Sequence, residues 1–148
     1  MKNVENVKIE VTVKGVTKLV DAIKVGNTTL VNMTALVVNF YEGDEEQFEV
    51  PMAGLPMIKL EEETSTPDGF KDGLEGMPVV AKQYTDIINT PDPIKGVYFI
   101  VTALVIKEAK RKDFIAPDTG FTSVRDVTGE LTGRKNAVIG VRQWITAQ

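Results

Sequence analysis

The chain of 148 residues contains no cysteine and no histidine. Without cysteine there are no disulfides, thiolate zinc sites or cysteine nucleophiles, and nothing points to an oxidising compartment. Without histidine the chain lacks the commonest metal ligand and general base, and every Ser-His-Asp arrangement is excluded. We therefore expect a cytoplasmic protein that is not an enzyme and holds neither a metal nor a cofactor.

Long apolar runs are also missing. Every apolar run falls far short of the roughly 20 residues that span a membrane, and Met1 leads into alternating polar and apolar residues rather than a signal peptide. We expect neither membrane insertion nor secretion. No GxGxxG or GxxxxGK[ST] pattern occurs, so classical dinucleotide oxidoreduction and nucleotide hydrolysis are not supported.

The net charge of −4 conceals a gradient along the chain. Residues 61–92 hold two Lys against eight Asp or Glu, whereas residues 93–148 hold nine Lys or Arg against five acidic residues. General nucleic-acid binding draws its affinity from neutralised phosphates, so the acidic balance argues against it. The basic final third leaves room for a local pocket for a small anion. A solvated basic surface is the alternative.

Residues 1–28 are interpreted as an N-terminal extension made of a strand and a short helix. Apolar residues from Val7 to Val13 alternate with polar ones, as in a half-buried strand. Between Val16 and Ile23 the apolar residues follow the spacing of one helix face, and Gly26 supplies a stop. A hairpin strand over the same residues is the alternative.

The remaining residues, 29–148, predict an α+β core domain. We expect a single domain with a mainly antiparallel or mixed sheet and one or two short helices. The predicted strands lie at 29–32, 35–41, 47–50, 57–60, 77–84, 97–101 and 137–145, with a further hairpin over 124–131. The runs 97–101 and 137–145 are apolar on both faces, which predicts central strands. Residues 64–69 have turn formers and no periodicity, which predicts a mobile loop.

A helix is predicted from Ala103 to Lys112. Thr102 precedes it and is placed to cap its first turn through the side-chain hydroxyl. Lys110, Arg111 and Lys112 would then occupy the final turn, where the helix dipole favours cations.

Three cations, Arg111, Lys112 and Arg125, converge if this helix is followed by a returning strand. Arg offers bidentate hydrogen bonds to phosphate oxygens and Lys supplies a point charge, so the three can cradle a phosphate group. In the alternative interpretation the cations at 110–112 serve the helix dipole, and Arg125 pairs with a nearby aspartate.

Aromatic and acidic residues complete this candidate site. The aromatic residues near the cations can stack on a base or pack in the core, and they are Tyr98, Phe99, Phe121 and Trp144. Phe121 lies in a predicted loop and is the best candidate for stacking. Asp113 and Asp118 can accept hydrogen bonds from ribose hydroxyls or cap turns. The candidate ligand-binding residues are Phe99, Thr102, Arg111, Lys112, Asp113, Asp118, Phe121, Arg125 and Asp126.

A set of short motifs lies within residues 30–60 and 96–141, roughly half of the chain. The motifs are Leu30-Val31-Asn32-Met33-Thr34, Val50-Pro51, Gly96-Val97-Tyr98-Phe99-Ile100-Val101-Thr102, Arg111-Lys112-Asp113, Pro117-Asp118-Thr119-Gly120, Val124-Arg125-Asp126, Gly129 and Ile139-Gly140-Val141. On these motifs the chain resembles a family of small proteins encoded by tailed phages and prophages. It is also similar to phage anti-Thoeris sponge proteins, which bind cyclic ADP-ribose signals. The Pro-His pair that usually follows the family's early strand is absent after Thr34.

This resemblance implies tight, non-catalytic capture of a nucleotide-derived signal by a homo-oligomer in the host cytoplasm, with Arg125 on phosphate and an aromatic residue on the base. Two other functions stay open. One is a virion or assembly accessory protein that acts through subunit contacts. The other is an enzyme that cleaves such a nucleotide with carboxylates alone, for example Asp113 and Asp118.

Overall fold

The computed structural model describes residues 3–118 and 138–148. In this part of the chain eleven strands and one short helix form a sheet-rich fold. The strands are β1 (Val4–Val13), β2 (Val16–Val25), β3 (Thr28–Asn32), β4 (Val37–Glu42), β5 (Glu45–Val50), β6 (Lys59–Ser65), β7 (Ala81–Ile88), β8 (Val97–Ile100), β9 (Phe114–Pro117), β10 (Val138–Val141) and β11 (Trp144–Thr146), and the helix is α1 (Ala103–Ala109). The predicted mixed and antiparallel sheets are confirmed. The single helix accounts for a smaller share of the described residues than the α+β class implies.

The chain begins with a long hairpin of β1 and β2, which pair antiparallel along their full length. Lys14 and Gly15 form the two-residue turn, with positive φ angles of 51° and 75°. Two consecutive positive φ angles match the twist of the flanking strands, which makes such turns the favoured hairpin connection.

The helix predicted over residues 16–23 is wrong, and the hairpin alternative is confirmed. A helix would have placed Val16 and Leu19 on the buried face, yet their side chains are 56% and 63% exposed. Val20 and Ala22, which alternate along the strand, pack into the core instead. Pairing with β1 satisfies the backbone hydrogen bonds and lets Val20 and Ala22 reach the core, so tertiary contacts override the helical spacing.

The largest sheet has six strands in the order β1-β2-β3-β8-β9-β11. β3 and β9 both pair parallel with β8, and the outer pairs are antiparallel. β8 is therefore central, as predicted, and its residues Phe99 and Ile100 are fully buried. Phe99 meets Phe114 of β9 edge to face, with ring centroids 6.2 Å apart.

A second sheet of three strands has the order β10-β4-β5. The run 137–145, predicted as one central strand, divides at Arg142 into β10 of this sheet and β11 of the six-stranded sheet. Among the described residues each of the two strands lies at an end of its sheet. The division turns Trp144 toward Phe40, and their rings stack 6.1 Å apart.

Asn32 joins the two larger sheets below the surface. The side chain is 1% exposed, and its amide donates to the carbonyls of Leu36 at 2.7 Å and Val50 at 3.2 Å. Its Oδ1 accepts from the backbone N–H and the hydroxyl of Thr34, at 2.9 and 2.6 Å. All of its hydrogen-bonding capacity is used, so this buried amide stabilises the junction rather than weakening it.

Residues 59–88 form an arm that is separate from both sheets. Among the described residues β6 and β7 pair with each other alone, and Lys59 at the start of the arm pairs with Ile88 at its end. Most side chains of the two strands are exposed. Beyond the strands, residues 67–80 form a tip of successive turns. A two-stranded hairpin has little stability on its own, so the arm depends on what it contacts.

Candidate functional site

The helix that precedes the predicted cation cluster is shorter than expected. Lys110 adopts a left-handed conformation with φ 53°, and its N–H donates to the Ile106 carbonyl. This arrangement ends α1 at Ala109, so the cations do not occupy its last turn, where Lys107 is the basic residue. Arg111 instead lies in the link to β9, where its side chain can turn back over the sheet.

Arg111 is held by three different groups, and we call this arrangement the Arg111 clamp. Its Nε and Nη2 donate to the two carboxylate oxygens of Asp113 at 2.9 and 2.6 Å. Its Nη1 donates to the Pro91 carbonyl at 2.7 Å. The guanidinium carbon lies 4.2 Å from the ring centroid of Phe114. Bidentate pairing together with aromatic stacking is the use for which Arg is better suited than Lys.

The Arg111 clamp changes the interpretation of two predicted site residues. A phosphate could bind the forked edge of Arg111 only by displacing Asp113, whose two oxygens already occupy that edge. Both side chains are 24% exposed, so the pair is partly shielded from water. The clamp ties the connector at Pro91 to the start of β9, an inner strand of the six-stranded sheet, which is a structural role.

Two further candidates also differ from expectation. Phe99 is 0% exposed and packs in the main core, so it offers no surface on which a base could stack. Thr102 takes the cap position before α1, but its side chain makes no capping hydrogen bond. The predicted hydroxyl cap is therefore wrong, because an extended backbone at Thr102 does not by itself aim the hydroxyl at the first turn.

The remaining candidates divide into two groups. Lys112 is exposed. Asp118 makes two hydrogen bonds with Gln143: the side-chain amide of Gln143 donates to the Asp118 carboxylate at 2.8 Å, and the backbone N–H of Asp118 donates to the Gln143 carbonyl at 3.1 Å. The other three candidates, together with the hairpin predicted over 124–131, lie outside the described residues, and they are Phe121, Arg125 and Asp126.

The tip of the arm is a feature that the sequence interpretation missed. Leu74 and Met77 exchange backbone hydrogen bonds of 2.7 and 2.8 Å, and between them Glu75 and Gly76 both have positive φ angles, 49° and 80°. These contacts define a tight two-residue hairpin turn. The signal was present in the sequence as Glu75-Gly76 between the apolar residues Leu74 and Met77, but the extended pattern assigned to residues 77–84 concealed it.

The tip carries apolar side chains into solvent. Leu74 and Met77 are 55% and 57% exposed, Val80 is 49% exposed and Phe70 is 36% exposed. Single exposed apolar residues are common, but a group of them on one folded projection indicates an interaction surface.

A groove of about 190 Å³ lies at the opposite end of the arm, against the β1–β2 turn. Its walls are apolar side chains of β1, β2 and the segment before the arm, with two lysines and Asn89 beside them. The residues that line it are Val13, Lys14, Val16, Lys18, Leu55, Pro56 and Asn89. Small-molecule sites usually measure roughly 300–1,000 Å³, so this groove suits one or two apolar side chains better than a whole nucleotide.

The sequence matches no family model, and neither curated proteins nor solved structures show a significant similarity to it. No helix in residues 3–118 or 138–148 has the length and apolar character needed to cross a bilayer. Over the same residues no cluster of three or more acidic side chains is placed to hold a metal ion. The functional interpretation therefore depends on the chemistry of the arm, the groove and the Arg111 clamp.

Proposed function

We propose that this protein is an assembly or accessory protein that acts through subunit contacts, and that the arm makes those contacts. In the phage setting that the sequence resemblance implies, such a protein is a virion or assembly factor. The observation that carries the proposal is the folded apolar tip, presented on a projection that is otherwise exposed.

The physical reason is the cost of leaving such a tip in water. Fully burying a Leu or Met side chain stabilises a complex by about 1.5–3 kcal/mol. The tight turn fixes Leu74 and Met77 in advance, so little conformational entropy is lost when they dock. The outer edges of β6 and β7 have no partner strand within residues 3–118 and 138–148, so they add backbone groups that a second chain can reach.

The test compares two double variants by sedimentation velocity over a wide range of protein concentration. We expect the wild-type chain, 16.2 kDa as a monomer, to self-associate, and we expect Leu74→Asp with Met77→Asp to abolish the association. Gln83→Asp with Thr85→Asp is the matched control, because it adds the same two charges to exposed positions of the same arm. A monomeric wild type, or equal association of all three proteins, would contradict the proposal.

Capture of an anionic nucleotide-derived signal is the second candidate function. It is favoured by the exposed Lys112, which stands beside the Arg111 clamp within the basic final third of the chain, the part that also contains Phe121 and Arg125. The clamp fixes the position of the residues next to Lys112. It also occupies both oxygens of Asp113, which weighs against the third possibility, a carboxylate-based cleavage in which Asp113 is the general base.

A thermal assay separates these possibilities. The protein is heated with cyclic ADP-ribose isomers, and the nucleotide released afterwards is analysed. At a ligand concentration one hundred times the dissociation constant, binding adds about 2.7 kcal/mol to stability, and we expect Arg125→Ala to remove that shift. Recovery of altered nucleotide would indicate an enzyme. No shift with any isomer would leave subunit contact as the function.

A further inference from the structure

The groove beside the β1–β2 turn and the tip of the arm both carry exposed apolar side chains. We propose that the groove receives the arm tip of a second copy of this chain, so that two copies exchange arms. This inference rests on the proposed function, because it names the surface that the arm contacts.

The tip is built to present two apolar side chains together. Leu74 and Met77 face each other across the tight turn, and directly opposed residues of a hairpin project from the same face. Gly73 precedes them with φ 75°, and a Cβ at this position would collide with the carbonyl of Met77. Glycine is therefore required for the turn, which makes the tip a defined knob rather than a loose loop.

The groove offers what this knob needs. Val13, Val16, Leu55 and Pro56 supply apolar walls, and Val16 is 56% exposed in the isolated chain. The volume of about 190 Å³ accommodates side chains of the size of Leu and Met. Docking would cover apolar surface on both copies at once, and this burial is the main driving force of protein association.

Charge also matches between the two surfaces. In the knob, Asp72 and Glu75 flank Leu74, and at the groove Lys14 and Lys18 are exposed beside the apolar walls. In the described part of the chain none of these four charged groups has a salt-bridge partner. The acidic groups on the knob and the lysines at the groove attract each other in the correct docked arrangement. They repel like charges in other arrangements, so they favour the correct one.

The positions of knob and groove favour a reciprocal exchange. Leu55, Pro56 and Asn89 of the groove adjoin the base of the arm, whereas the knob lies at its far end. The paired part of β6 extends about 23 Å at 3.3 Å per residue. Two arms lying antiparallel therefore bring each knob to the other copy's groove. The two contacts are identical by two-fold symmetry, so the assembly closes as a dimer.

Charge reversal gives a specific test, measured by sedimentation velocity at low salt. The tip variant combines Asp72→Lys with Glu75→Lys, and the groove variant combines Lys14→Glu with Lys18→Glu. In a homodimer of either variant, like charges face each other at both contacts. We therefore expect the dimer dissociation constant of each variant to rise by about tenfold or more. A mixture of the two variants pairs opposite charges at both contacts, so we expect a heterodimer. One chain that carries all four changes should dimerise again.

The control is Lys95→Glu with Lys107→Glu, which changes the net charge as much as the groove variant at exposed positions away from the groove. We expect this control to dimerise like the wild type, and all variants to keep the wild-type circular dichroism spectrum, which shows that they remain folded. If the Leu74→Asp, Met77→Asp protein loses the dimer but the groove variant keeps it, the groove assignment alone is overturned. If both variants keep the dimer, the proposed function is overturned as well. Failure of the mixed variants to form a heterodimer would also refute the exchange.

Discussion

Removal of the Arg111 guanidinium tests whether the clamp is structural. Arg111→Ala breaks the bidentate pair with Asp113 and leaves the carbonyl of Pro91, a residue almost fully buried, without its donor. Breaking a fully buried pair costs about 3–5 kcal/mol, whereas exposed pairs contribute less than about 1 kcal/mol. The stacking on Phe114 adds about 0.5–1 kcal/mol.

The exposure of the pair decides between these limits. With both side chains 24% exposed, we expect Arg111→Ala to lower the free energy of unfolding by about 3 kcal/mol. For a chain of this length that loss corresponds to a fall in melting temperature of about 6–12 °C. Arg111→Lys keeps the charge but loses the fork, so an intermediate loss is expected.

The assay is thermal unfolding followed by circular dichroism, with Lys112→Ala as the control because the neighbouring side chain is exposed. Lys112→Ala should change stability by less than about 0.5 kcal/mol. A double-mutant cycle of Arg111→Ala and Asp113→Ala should give a coupling of about 1–2 kcal/mol. If Arg111→Ala unfolds at the same temperature as Lys112→Ala, the structural role assigned to the clamp is refuted.

Two further predictions concern buried residues and use denaturant unfolding. Asn32→Ala leaves buried carbonyl and N–H groups unpaired and should lower the free energy of unfolding by about 2–4 kcal/mol. The control Asn6→Ala, at an exposed position of β1, should lower it little. Equal effects of the two substitutions would show that the buried amide is dispensable. Phe99→Ala should cost about 3–5 kcal/mol because it opens a cavity in the main core, and Tyr98→Ala, whose side chain is 39% exposed, should cost clearly less. A fully stable Phe99→Ala protein would contradict the core assignment and restore Phe99 as a candidate for ligand stacking.

Much of the sheet was predictable because its signals are local. Alternation from Val7 to Val13 indicated β1, and the apolar run 97–101 indicated the central strand β8. The predicted strands at 35–41 and 47–50 correspond to β4 and β5, which pair with each other as a hairpin. These patterns report how one segment meets the solvent and the core, which depends little on distant residues.

Other features could not be predicted because distant segments decide them. Residues 16–23 fit a helix by spacing, and the pairing with β1 made them a strand. Arg111 looked like a phosphate ligand until the fold brought the Pro91 carbonyl, twenty residues earlier, to its third nitrogen. The side chain of Phe99 became inaccessible because it packs in the main core with residues from other segments of the chain, among them Phe114 of β9. The residues that surround a position in the sequence do not show which distant residues will contact it in the fold.

The closure of the arm at its own base has a consequence for the order of folding. β3 and β8 are neighbours in the sheet although residues 33–96 lie between them, and such distant pairings are slow to form. Once Lys59 has paired with Ile88, the length of chain to be closed is roughly halved, which saves about 0.6 kcal/mol of loop entropy. Because this saving is small, the arm can change in length with little effect on the rate at which the sheets fold.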